Sequence, residues 1–150
     1  FTITMFALLW LSMAVFPPDT LSNPRFGFSH FESNAALCKL VYSKYIGSEL
    51  PVYRAYAAAA HMSMANHVWN PYSKWNYFNE GKTQLEKLIQ SYPALIELRY
   101  IRYTLQRYAP TMLGYTTHQK SDREILLKSI SMLQKSDPFL FQRCKSVLNL

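Results

Sequence analysis

The residues of this chain able to do chemistry begin with four histidines, His30, His61, His67 and His118. No two of them lie at the i, i+4 spacing that puts a metal pair on one helix face. The two cysteines, Cys38 and Cys144, form no CxxC and no Cys/His cluster, so neither a metal nor a cofactor is expected. The sequence also lacks a GxSxG elbow and a phosphate-cradling glycine loop, its four glycines being scattered. His67 stands apart because it lies near the end of a long apolar helical stretch. There an imidazolium favours the negative helix terminus and meets groups from the start of the next helix. A capping or core-satisfying role is expected for it. The catalytic alternative is a hydrolase-like enzyme centred on His67, with Glu97 or an arginine beside it.

The most distinctive polar set is Asn70, Lys74, Lys82, Glu97, Arg99 and Arg102, on two helices joined by a short turn and so expected to pack antiparallel. Together with His67, the residues Asn70, Lys74, Lys82 and Glu97 read as a structural polar cluster. In it Glu97 would pair with Lys74, Lys82 or a nearby arginine and lock the hairpin. Arg99 and Arg102 are one turn apart and could instead fork a carboxylate or phosphate on a partner. Tyr103 and Tyr115, with Tyr100 and Tyr108, would line a groove beside that fork, although aromatic stripes at helical spacing more often fill a core. Arg99, Arg102, Tyr103 and Tyr115 are therefore the expected partner-binding residues. The loop 109–120 is the expected partner-contacting element, since function concentrates on loops held by a rigid scaffold.

The elements that must position these groups read as helices throughout. Hydrophobic residues make up 49% of the 150 and charged residues 17%, a composition that folds. Ser29 and Glu32 form a capping box ahead of a stripe of Phe31, Ala35, Cys38, Val41 and Tyr45, which Gly47 stops. A second helix, about Leu50 to Trp69, is apolar on nearly every side and rich in alanine, so it should be central. Asn70-Pro71 opens a third, whose buried face is Trp75, Phe78, Gly81, Leu85, Leu88 and Tyr92. A fourth, about Ala94 to Tyr108, buries Leu95, Leu98, Ile101 and Leu105, with Arg99 and Arg102 on another face. Pro110 and Gly114 break the chain, Ser121 and Glu124 form a second capping box for a fifth helix to about Gln134, and Asp137-Pro138 opens a sixth that carries Leu140, Cys144, Val147 and Leu148. No strand is indicated.

The fold class expected is all-α: antiparallel helical hairpins, about six helices, in a tetratricopeptide-like right-handed array, preceded by an N-terminal hydrophobic segment. The spacing of Gly81, Leu85, Leu88 and Pro93 matches half of a tetratricopeptide repeat, and Pro71 and Trp69 break the other half. Residues 1–16 carry no charge and are too few to span a bilayer, so they read as the apolar core of a signal peptide with Ser12-Met13-Ala14 as a weak cleavage site. A buried first helix is the alternative. Residues 17–27 read as a spacer and 28–150 as the helical domain. In an exported chain Cys38 and Cys144 could join in a disulfide or stay buried as free small hydrophobes.

The landmarks NHVWNPYSKWNYFNEGK, ELRYIRYTLQ and APTMLGY, between Ala65 and Tyr115, resemble a family of small exported, tetratricopeptide-like helical proteins of Bacteroidota. The resemblance extends more loosely from about Ala35 to Leu133. It implies a periplasmic or envelope-associated compartment and a helical fold, and supplies no activity. The formal net charge of +7 would favour acidic partners, or serve solubility. The expected function is a helical protein-interaction scaffold of the cell envelope, with another protein as partner, no nucleic acid and no catalysis. Besides the enzyme at His67, the alternative is a basic peripheral module on an anionic membrane surface.

Overall fold

The computed structural model describes residues 23–110 and 113–150, so the signal-like segment 1–16 lies outside the described residues. Seven α-helices are present among them: α1 (Pro24–Gly27), α2 (Ala35–Tyr45), α3 (Pro51–Ser63), α4 (Pro71–Ser91), α5 (Ile96–Tyr108), α6 (Gln119–Ser136) and α7 (Pro138–Leu148). Two 3-10 turns, Phe28–His30 and Met64–His67, extend α1 and α3. The fold is all-α with helical-hairpin character, and the described residues form no strand. The helix beyond the six expected is α1, which falls where a spacer was read. Asn23 caps it and Pro24 occupies its first turn, and both Pro24 and Gly27 are buried. Residues 23–27 therefore belong to the packed domain.

At Asn70-Pro71 and Asp137-Pro138 the helix starts as expected. The Asn70 side chain accepts from the Tyr72 and Ser73 amides, and the Asp137 side chain from the Leu140 amide. Both capping boxes fail. Ser29 lies in a 3-10 turn with its hydroxyl on the Phe26 carbonyl, and α2 starts later because Asn34 accepts from the Leu37 amide at 2.9 Å. Ser121 is already inside α6, its hydroxyl donating to the His118 carbonyl. In each case a two-residue signal lost to an alternative local hydrogen bond that leaves the aromatic or ionic neighbours buried.

Helix α3 is the centre, packed against α1, α2, α4 and α5. Every residue from Ala55 to Ser63 is buried, with Ala55, Ala57, Ala58, Ala59 and Ala60 fully so. Those small side chains bring neighbouring helices close. The tightest approach is at Gly81 of α4, where an added Cβ would lie 2.5 Å from Met62 Cγ, 2.6 Å from the Ala58 carbonyl oxygen and 2.8 Å from the Met62 nitrogen. Gly81 thus faces α3, and the hairpin it closes is α3/α4 rather than α4/α5. Around this centre α5, α6 and α7 pack in sequence, burying Leu98, Ile101, Leu126, Leu133, Leu140 and Cys144. Trp75 and Tyr92, expected in the buried face of α4, are 61% and 39% exposed, and Ile89 takes the place of Tyr92.

In an open helix Gly→Ala stabilises by about 1 kcal/mol. Gly81→Ala reverses that sign, because two of the atoms it meets are backbone, and should destabilise by about 1–3 kcal/mol. Gly47→Ala, with nothing within 4 Å of the new methyl, should be near neutral. Urea unfolding midpoints of the two variants test the packing of α3 on α4.

Candidate functional site

The expected partner-binding residues lie inside the molecule. Arg102 is 2% exposed, and its guanidinium is fully committed: Nε and Nη2 donate to the two oxygens of Asp122 at 2.7 and 2.8 Å, and Nη1 donates to Glu86 at 2.7 Å. Asp122, itself fully buried, also takes Arg99 Nη1 at 3.4 Å. Burial alone would push the Arg102 guanidinium down, but hydrogen bonds and charge from Asp122, then Glu86, outweigh it and hold the group above its ordinary value. Tyr115 is buried and donates its hydroxyl to the other Glu86 oxygen at 2.7 Å; burial and that carboxylate push the phenol well up. Tyr103 is buried as well. The fork at Arg99 and Arg102 is filled from within. It ties α5 to α6 and α4 and is not offered to a partner.

Glu97 does form the structural ion pair expected of it, with a partner from the segment read as spacer. Arg25 Nε and Nη2 donate to the two Glu97 oxygens at 2.6 and 3.0 Å, and Arg25 Nη2 also donates to Asp137. The Tyr56 hydroxyl donates to Glu97 at 2.7 Å. Burial would lower the Arg25 guanidinium, but Glu97 and Asp137 together raise it. Burial would likewise raise the Asp137 carboxyl; the Leu140 amide and the Arg25 charge prevail and hold it below its ordinary value. Lys74 and Lys82 are not in this cluster, since Lys74 lies on the surface and the Lys82 ammonium sits 5.0 Å over the Tyr115 ring. His67 donates from Nε2 to the Phe31 carbonyl at 2.8 Å, a core-satisfying role, and shares no hydrogen bond with Glu97. His67, Asn70, Lys82 and Glu97 thus have separate partners, Lys74 is at the surface, and the five do not converge.

Other titratable groups are equally occupied by structure. His61 is stacked on Tyr42 with centroids 4.2 Å apart and bonds Glu80 at 2.8 Å. Cys38 and Cys144 are free and buried, and burial pushes their thiols up to about 11 and about 12, where thiolate chemistry is suppressed. Among the described residues no three His, Cys, Asp or Glu side chains gather as a metal site.

What the surface does present is an aromatic cleft. It has a volume of about 690 Å³ and lies between the Phe28–His30 turn, the starts of α4 and ends of α3 and α5, and α7. Phe31, Met62, Phe78, Tyr100 and Val147, all buried, form its floor, while Trp75, Tyr108 and Leu113 at its mouth are exposed. Chain breaks create it. Pro71 starts α4 and Pro110 follows the end of α5, so among the described residues two helix ends and a 3-10 turn meet at the cleft beside α7. Next to it, Trp69 is 97% exposed and Tyr72 71% exposed. Tyr72 and Trp75 are neighbours three apart on α4. Sequence reasoning placed Trp75 in the core and passed over Trp69 and Tyr72. The signal that could have found them is the spacing Trp69, Tyr72, Trp75, which falls off the stripe defined by Phe78, Leu85 and Leu88.

Two expected outcomes test the ion clusters. Arg102→Met leaves the fully buried Asp122 without its main partner and should cost about 3–5 kcal/mol in urea unfolding, and adding Asp122→Asn should recover part of that loss. Because the Asp137 carboxyl is held below 3.8, its contribution is present above the unfolded value and is lost as pH falls through the folded one. Stability measured by thermal unfolding should therefore fall as pH drops below 3.8, and Asp137→Asn should make that fall shallower.

No family model, no curated protein and no solved structure matches this chain.

Proposed function

We propose that this chain is a non-catalytic scaffold of the bacterial cell envelope that binds another protein through the aromatic ridge of Trp69, Tyr72 and Trp75. The single observation that carries the reading is the exposure of those three side chains, 97%, 71% and 61%. Tryptophan and tyrosine are the side chains most enriched among residues that dominate binding energy at interfaces. The reading includes a tetratricopeptide-like, right-handed arrangement of the hairpins and an export-processed N-terminus, consistent with the resemblance of residues 65–115 to exported proteins of Bacteroidota. No helix among the described residues is long and apolar enough to cross a membrane.

The test is affinity capture of the tagged full chain from envelope extracts, beside the variant Trp69→Ser/Tyr72→Ser/Trp75→Ser. Substitution of exposed side chains changes stability by only about 0.5 kcal/mol each, so the variant should stay folded. A stoichiometric protein lost at least about tenfold in the variant supports the scaffold, since hot-spot losses of about 2 kcal/mol exceed that factor. Equal capture by both forms sinks the ridge as the binding surface, and recovery with anionic vesicles in place of a protein sinks the protein partner.

A further inference from the structure

The interior of the cleft differs in chemistry from the ridge beside it. Its floor is apolar and aromatic, and its walls come from the Phe28–His30 turn, α3, α4, α5 and α7. Its volume of about 690 Å³ falls in the range of roughly 300–1,000 Å³ typical of small-molecule sites. Two cations line it, Lys74 and Arg143, against one carboxylate, Glu32, and none of the three makes an ion pair with a described residue.

Arg143 is the informative one. It is half-buried, in contrast to the exposed Lys74 and Glu32, and its guanidinium lies 5.1 Å from the centroid of the Phe139 ring on its own helix. It is near enough to Tyr100 for its charge to act on that buried phenol. Arg25 and Arg102 each have two carboxylates, and Arg54, 5.9 Å from the Tyr92 ring centroid, donates to the Tyr92 hydroxyl at 3.3 Å. Arg143, in an apolar wall, has an aromatic ring beside it and no counter-ion among the described residues. A partly desolvated guanidinium favours an anion delivered together with apolar surface, and its planar fork matches a carboxylate.

We propose that the cleft binds a single-chain anionic amphiphile, a long-chain carboxylate, with its hydrocarbon tail over Phe31, Met62, Phe78 and Leu105 and its carboxylate on Arg143. The binding is non-covalent and does not depend on the protein-partner reading, which rests on the ridge. Trp75 at the mouth supplies an optical reporter, since a tail entering beneath it changes the polarity around the indole.

The test is titration of the full chain with sodium dodecanoate and, separately, with dodecanol, below their aggregation limits, followed by tryptophan fluorescence and calorimetry. Saturable one-to-one binding of dodecanoate, with dodecanol weaker by about tenfold or more, is the expected result for a charge-assisted hydrogen bond. Arg143→Gln should abolish that preference while leaving dodecanol binding and the unfolding midpoint near those of the wild type. Equal affinity for acid and alcohol, dodecanoate binding that survives Arg143→Gln unchanged, or no saturable binding of either compound overturns the proposal. Association with anionic vesicles in the absence of monomer binding also overturns it.

Discussion

A helix with no exposed face constrains everything around it. From Ala55 to Ser63, α3 is covered on all sides, and only a run of alanines lets α1, α2, α4 and α5 come close enough to cover it. The closeness is possible because Gly81 has no side chain where α4 meets the α3 backbone. Dense contact against a small-residue helix gains dispersion energy from many atom pairs at short range, while each added methyl has nowhere to go. Tyr56 and Phe31 are fully buried in that core, while Trp69, Tyr72 and Trp75 reach solvent.

Two ion clusters then fix how the outer helices sit on that centre. Arg102 with Asp122 and Glu86 ties α5 to α6 and α4, and Arg25 with Glu97 and Asp137 ties α1 to α5 and α7. Neither cluster is a large net source of stability, because taking such charges out of water costs nearly what their attraction returns. Their value is geometric. A bidentate arginine tolerates one arrangement of its carboxylate, and each cluster here specifies three elements at once. The same commitment removes these groups from the chemistry available to a ligand.

The helices were readable where the signal was local and complete. Asn70-Pro71 and Asp137-Pro138 each combine a side-chain cap with a fixed backbone angle, and both helices begin there. The Ser29/Glu32 and Ser121/Glu124 pairs carry only side-chain types at the right spacing, and competing bonds to nearby carbonyls and a better cap at Asn34 prevailed. The alanine run foretold the central helix, because small apolar residues all round a helix have one physical use. The site was much less legible. Periodicity places Arg102 on a face but does not name that face's neighbour, and the partners of Arg25 lie 72 and 112 residues away. Trp75 was misread for the same reason: the pattern of α4 admits two adjacent faces, and only the position of α3 decides which one is covered.

The longest of those separations has a consequence for how the molecule comes into being. Arg25 closes on Asp137, the single residue between α6 and α7, across 112 positions of chain. Contacts of such sequence distance form late, after the local hairpins have reduced the loop that must be closed. A chain emerging from a ribosome can assemble α2, α3 and α4 early, and α1 meets α3 and Glu97, but its bond to Asp137 waits until the end of α6 has emerged. One of the bonds that secure the first described helix thus forms late, and until then the Asp137 carboxylate stays open to solvent.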